Sequence, residues 1–339
     1  MKLILAAGTL FVFLTFAATA PPTIYLGDSG EICAAAVSLG IGHPPGYPLY
    51  MLAAKIFSLL PAGDIAFRVN LLSAFLGSMV FLSFFFFSRR LSALIYKSTP
   101  ARAVNAAAIA ASLTFVFSYI FWFEAVNAKG GIYILSLLIT LLAGFFCLKF
   151  YEGRKPASFL MAAYLTGFLP VIHHTTGAAF LFLTVFLVFN ARFLSKGKIT
   201  AAAGLYLAAL FTPYAYLFIR AEAAPAVHWA DITGMEKIIG HIMRKTYFTA
   251  EGGTINADII LFKLKHYAGR SIRNYHFLLL FMSAGALALY KSRPRLLYFT
   301  GALFALTTGL LIALTGHSMS PLNVYLNAGF YLSADPVSY

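Results

Sequence analysis

Long apolar stretches separated by short polar breaks run through most of this 339-residue chain. They occupy residues 3 to 20, 65 to 88, 103 to 123, 131 to 150, 157 to 172, 176 to 191, 199 to 219, 276 to 290 and 296 to 315. A straight membrane-spanning helix needs about 20 mostly apolar residues, so the pattern predicts about nine transmembrane helices. Two further stretches, 31 to 39 and 48 to 60, are shorter and only moderately apolar, and are broken by Gly40, Gly42, Pro44, Pro45, Pro48 and Pro61. Their length suits helices lying on a membrane surface. The fold class expected is therefore an all-α polytopic membrane protein. Residues 1–339 read as one membrane domain, with a first outer loop at 21–63 and a long one at 220–275. Ala18-Thr19-Ala20 before Pro21 resembles a signal-peptidase site; a retained first helix is the reading adopted, because it anchors the loop that follows.

Composition agrees with the pattern. The chain is 60% hydrophobic and 11% charged, far from the soluble average of about 25% charged residues. A net charge of +14 raises nucleic acid as a partner. The basic residues are scattered between apolar runs, which points instead to anionic membrane lipids and no nucleic acid. Cys33 and Cys147 lie in different kinds of segment, so neither a disulfide nor a metal framework is expected.

Charge placement adds an orientation. If successive helices alternate in direction, Lys2, the Arg89–Arg102 group, Lys149–Lys155, Arg192–Lys198 and Lys291–Arg295 share one face, which the positive-inside rule makes cytoplasmic. Of the acids only Glu152 falls there; Asp28, Glu31, Asp64, Glu124, Glu222, Asp231, Glu236, Glu251, Asp258 and Asp335 fall on the opposite face. Chemistry is expected outside the cytoplasm. No Asn-x-Ser/Thr sequon occurs, which favours a bacterial cytoplasmic membrane, with the endoplasmic reticulum as the alternative.

The acids in the first loop are the first candidates for that chemistry. Asp28 and Glu31 are three residues apart, so they share a helix face or converge across the Ser29-Gly30 turn. Paired carboxylates can divide the work of taking a proton and orienting a hydroxyl. The competing reading is a capping box, Asp28 capping a helix and Glu31 at its third position. His43 and Tyr47 stand in the stiff turn His43-Pro44-Pro45-Gly46-Tyr47-Pro48. His173-His174 close the fifth run; adjacent histidines are poor metal geometry, and no metal is expected. Trp122, Glu124, Asn127 and Lys129 gather at the end of the third run, and Arg220 ends the seventh, followed by His228, Trp229 and Asp231. A lone arginine at a membrane edge suits a lipid phosphate, although snorkelling to headgroups explains it equally.

At these residues the chain resembles a known family. The blocks Asp28-Ser29-Gly30-Glu31, Gly40-Ile41-Gly42-His43-Pro44-Pro45-Gly46-Tyr47-Pro48-Leu49-Tyr50 and Arg68-Val69-Asn70-Leu71-Leu72-Ser73-Ala74 carry the likeness. It continues through Phe121-Trp122, Tyr133, His173-His174-Thr175 and Tyr216–Arg220 to Tyr247. The family lies within the GT-C glycosyltransferase superfamily and includes protein O-mannosyltransferases acting on plexins. The resemblance implies an inverting glycosyltransferase that moves mannose or a similar sugar from a polyprenyl- or dolichyl-phosphate donor. The acceptor would lie outside the cytoplasm, a Ser or Thr of a protein or a glycolipid. No cofactor beyond that lipid-phosphate sugar is implied. Asp28 would be the catalytic base and Glu31 its partner, with His43, Tyr47, Trp122 and Trp229 lining the substrate. Arg220 would bind phosphate, with Lys129, His173 and His174 as further candidates. Two departures accompany the likeness. Ala128-Lys129-Gly130-Gly131-Ile132-Tyr133 stands where relatives read Ala-Glu-Val-Tyr, and no Arg-Phe-type motif is evident near Phe330–Tyr339, which implies a truncated or degenerate member. The alternative function is a lipid or polysaccharide transporter.

Overall fold

The computed structural model describes residues 1–229, 232–246, 257–275 and 278–292, together with Pro294, Leu297, Tyr298 and Gly301. The run at 296 to 315 lies almost wholly outside these residues, as do Asp231, Glu251, Asp335 and the stretch 330–339. The chain divides into two compact units. Residues 1–117 and 121–244 form the first, and 118–120 and 245–339 form the second.

In the first unit, α1 (Lys2–Thr19) leads into two short helices, α2 (Ser29–Ser38) and α3 (Pro48–Ser58), close to the surface helices predicted at 31 to 39 and 48 to 60. Then come α4 (Ile65–Ile95), α5 (Ala101–Val116) and α6 (Tyr119–Ala125). They are followed by α7 (Ala128–Gly153), α8 (Pro156–Ile172), α9 (Gly177–Asn190), α10 (Lys196–Phe211), α11 (Ala215–Glu222) and α12 (Met235–Ile242). The second unit contains α13 (Ala257–Tyr275) and α14 (Leu278–Ser292).

Among the described residues four helical segments are long and apolar enough to cross a bilayer: α1, α4, α7 and Lys196–Glu222. A fifth follows if α5 and α6, bent by 67° at their junction, count as one broken span. Of the nine runs, 276 to 290 is described from 278 on and 296 to 315 lies almost wholly outside the described residues. The runs at 157 to 172 and 176 to 191 form helices of 17 and 14 residues, at or below the length of a straight span. Large apolar side chains are exposed along α1 (Leu3, Ile4, Leu10, Phe11, Leu14), α4 (Phe75, Phe86) and α9 (Val185, Val188, Phe189). Such surfaces are stable against lipid and not against water, and the protein is a helical membrane protein.

The helix starts follow local chemistry. Asp64 caps α4, its carboxylate accepting from the Phe67 N–H at 2.8 Å, and Asn127 caps α7 by accepting from the Gly130 N–H at 2.8 Å. Proline at the first positions of α3 and α8 costs no helical hydrogen bond. Phe16 of α1 is fully buried against Phe117, Phe121 and Trp122, which locks α1 into the core. At one end of the bundle Arg90 pairs with Glu152, and Arg154 donates to the Asn190 carbonyl oxygen at 2.9 Å. Asp28, Glu31 and Lys129 gather at the other end of α4 and α7, so the division of acids from basic loops is built into the packing.

Candidate active site

The loop from α1 to α2 is fixed from below by Asn70, whose amide donates to the carbonyls of Pro21 at 2.9 Å and Thr23 at 3.3 Å. Gly27, at φ 66, then turns the chain into α2 in a conformation that suits glycine. Asp28 stands at the N-cap of α2 but makes no capping hydrogen bond with its side chain. Its carboxylate instead meets the Lys129 ammonium at 2.9 Å, with 39% of the Asp28 side chain exposed.

Lys129 arrives there because the start of α7 packs without side chains in the way. A Cβ on Gly130 would lie 2.0 Å from the Glu124 carbonyl oxygen, and one on Gly131 would lie 2.3 Å from both Ser73 Oγ and the Tyr50 hydroxyl. Tyr50, fully buried, donates to the Ala128 carbonyl at 2.7 Å and so ties α3 to the same helix start. Burial, the largest cause, pushes its phenol above the usual tyrosine range. The glycine pair is thus the feature that allows this close approach.

Glu31 also departs from the capping box. It turns away from the α2 N-terminus and accepts from the His43 backbone N–H at 2.5 Å and from His43 Nδ1 at 2.9 Å. The capping-box reading is therefore overturned at both residues: Asp28 is drawn to an ammonium and Glu31 to an imidazole, each a charge-assisted partner stronger than a single amide. With Nδ1 donating to Glu31, His43 Nε2 receives the Tyr47 hydroxyl at 2.7 Å. The Tyr47 ring stacks on His173 at 5.7 Å, the Tyr133 ring meets His173 edge-on at 5.0 Å, and Trp229 meets His43 edge-on at 5.8 Å. His174 lies 4.1 Å from His173, ring to ring, and its Nε2 accepts from Arg244 at 2.8 Å.

The backbone between α2 and α3 is held by later parts of the chain. Ile41 pairs with residues 227 to 229, donating to the Val227 carbonyl and accepting from the Trp229 N–H, both at 3.0 Å. Tyr216 donates to the Gly40 carbonyl at 2.7 Å, and His241 Nε2 donates to the Gly42 carbonyl at 3.0 Å. Burial, aided by Arg244 and His43, depresses His174 to about 3, and burial depresses His241 to about 4. His173 is lowered in the same sense and for the same first cause. Unfolded histidines take up protons near pH 6.5, so below that pH the unfolded chain binds more protons than the folded one and stability falls. The thermal unfolding midpoint in detergent is expected to drop progressively from pH 6.5 to pH 4. A His174→Gln, His241→Gln double variant should flatten that dependence.

The structure thus brings Asp28 to Lys129 and joins Glu31, His43, Tyr47, His173, His174 and Trp229 in one chain of contacts. Tyr133 connects the two groups: it packs on His173, and its phenol is within electrostatic reach of Asp28, Glu124 and Arg244. Two expected site residues sit elsewhere. Arg220 donates to the carbonyls of Leu39 at 2.6 Å and Ser38 at 3.2 Å, closing the C-terminal end of α2, and Trp122 donates to Thr19 Oγ1 at 2.9 Å beside Phe16. Arg220→Ala is expected to destabilise the protein by about 1.5–3 kcal/mol, the worth of hydrogen bonds from a charged donor, read as a lower unfolding midpoint. The sequence pattern pointed to Glu124 and Tyr133 without giving either a role, and it missed His241 and Arg244. Arg244 and His241 are single polar residues in a hydrophilic stretch and carry no spacing signal. Among the described residues no three His, Cys, Asp or Glu side chains are grouped to hold a metal ion, and both cysteines are buried thiols.

Comparison with known proteins gives the chain its family. Residues 28–198, from the first acid of the site through both histidines of the pair, match the family model described as the protein O-mannosyl-transferase TMEM260 N-terminal domain. The chain is similar to protein O-mannosyl-transferase TMEM260 of Mus musculus, with 31% identity over 256 residues covering 71% of this chain and 34% of the relative. It is also similar to protein O-mannosyl-transferase tmem260 of Dictyostelium discoideum, with 24% identity over 273 residues covering 73% and 32%. The chain spans about a third of the length of these curated relatives. No solved structure matches it. With the matched segment covering half of the chain and the site's first acid at its start, the protein belongs to the family of the TMEM260 N-terminal domain.

Proposed function

We propose that this chain is an inverting, GT-C-like membrane glycosyltransferase that moves a hexose, mannose or a close relative, from a polyprenyl- or dolichyl-phosphate donor to a Ser or Thr hydroxyl of a protein. The site would face the extracytoplasmic side, which the distribution of charged loops favours. The observation that carries the reading is Asp28: a half-exposed carboxylate at a helix N-cap that makes no capping bond and is held by Lys129 at 2.9 Å.

In this reading Asp28 takes the proton of the acceptor hydroxyl while its oxygen attacks the anomeric carbon. The bond from that carbon to the phosphate oxygen breaks, and the lipid phosphate leaves with the electron pair. Lys129 and Arg244 are the cations placed to meet that phosphate, Lys129 beside Asp28 and Arg244 within reach of Tyr133 and bonded to the neutral His174. Phosphate binding is thus assigned away from Arg220, whose guanidinium closes α2. Glu31, through His43 and Tyr47, positions the turn against His173 and Tyr133. An apolar groove of about 620 Å³ between α1 and α4, lined by Leu5, Leu10, Phe13, Phe75 and Leu82 among others, gives an isoprenoid chain a place at the protein surface.

The reading is tested by incubating the protein in detergent with dolichyl-phosphate mannose and a Ser/Thr-rich peptide. Hexose on the peptide, dependent on donor, supports it; an unmodified peptide with intact protein and donor overturns it.

A further inference from the structure

The Glu124 side chain takes no part in the hydrogen bonds and ion pairs described so far, and its surroundings are unusual for a carboxylate. It lies near the end of α6, five residues before Lys129, set deep in the protein yet still touched by solvent. Among the described residues nothing donates a hydrogen bond to its carboxylate and no cation lies within ion-pair distance; the Lys129 ammonium is bonded to Asp28 instead. The carboxylate is nonetheless within electrostatic reach of Lys129 and of the Tyr133 phenol. Its backbone is fixed by the bare face of Gly130, against which no other residue would fit.

A carboxyl group that reaches solvent at one edge, with no protein donor within hydrogen-bond distance among the described residues, leaves its acceptor positions open to a ligand. The chemistry limits which ligand. A phosphate would be repelled by Glu124 and belongs on Lys129. A carboxylate is an acceptor with about four lone-pair directions, which matches the paired hydroxyl donors of a sugar ring. Asp28, 39% exposed, is the carboxylate that the proposed function gives to the acceptor.

We propose that Glu124 is the sugar-recognising carboxylate of this site, accepting hydrogen bonds from hydroxyls of a neutral hexosyl group while Lys129 holds the phosphate to which that group is attached. The assignment rests on the donor class given under the proposed function, and it adds the subsite that reads the sugar. It makes Glu124 a determinant of donor affinity that responds to the sugar and not to the lipid phosphate.

The test is equilibrium binding to the full chain in detergent with two probes, dolichyl phosphate and dolichyl-phosphate mannose, for the wild type, Glu124→Gln and Glu124→Ala. The expected result is that both variants weaken binding of the mannosyl lipid by about tenfold, the loss of about one hydrogen bond to the sugar. Binding of dolichyl phosphate should stay within about twofold. Glu124→Gln keeps the side-chain shape and serves if the alanine variant does not fold. Equal weakening of both lipids, or of neither, overturns the sugar subsite while leaving the proposed function in place. A wild-type protein that binds neither lipid overturns the proposed function, and the subsite falls with it.

Discussion

Asp28→Asn is expected to lower sugar transfer by about 10²- to 10⁴-fold, the range contributed by a positioned general base. Asparagine has the same shape but cannot take the acceptor proton. The structural cost should be small: Asp28 makes no side-chain cap bond to α2, so none is lost, and its pair with Lys129 is partly exposed. Such a pair contributes about 0–1 kcal/mol. The measurement is kcat for hexose transfer alongside the thermal unfolding midpoint. A large drop in kcat with an unchanged midpoint is the expected outcome, whereas wild-type kcat in the variant would remove Asp28 from the mechanism.

Gly130→Ala is expected to have the largest effect on folding. Its Cβ would fall 2.0 Å from a backbone carbonyl oxygen of Glu124, an atom that no rotamer change can move aside. Relief requires α6 and α7 to separate, which carries Lys129 away from Asp28. Overpacking of this kind costs about 1–3 kcal/mol and occasionally more, and the backbone contact places this position at or above the upper end. Gly204→Ala, inside α10, is the control, since nothing lies within 4 Å of the added methyl and alanine is the better helix former by about 1 kcal/mol. The unfolding midpoint should fall sharply for the first variant and stay level or rise for the second.

Much of the architecture was legible in the sequence, and the reason is periodicity and punctuation. The prolines and glycines between residues 40 and 48 separate α2 from α3, and the segregation of acids from basic loops shows which helix ends meet. Glu31 was harder: at three residues from Asp28 it fits a capping box, and only the fold reveals that His43, twelve residues on, competes for it and wins. The long-range partners of Arg220 were likewise not legible, since an arginine at a membrane edge looks the same in sequence whether it faces a phosphate or the carbonyls of Ser38 and Leu39. Arg244 and His241 were invisible because their partners, His174 and Gly42, are long-range contacts with no spacing rule. Apolar length alone does not register the 67° bend between α5 and α6 or the 14-residue length of α9.

The central claim is that Asp28 and its neighbours transfer a hexose with inversion from a lipid phosphate. Its most direct test is to supply dolichyl- or polyprenyl-phosphate hexose of known anomeric configuration with a Ser/Thr peptide and to determine the linkage on the product. The account predicts hexose on a peptide hydroxyl with the opposite anomeric configuration to the donor. Retained configuration, or movement of the lipid across liposomes without any transfer to peptide, would contradict it.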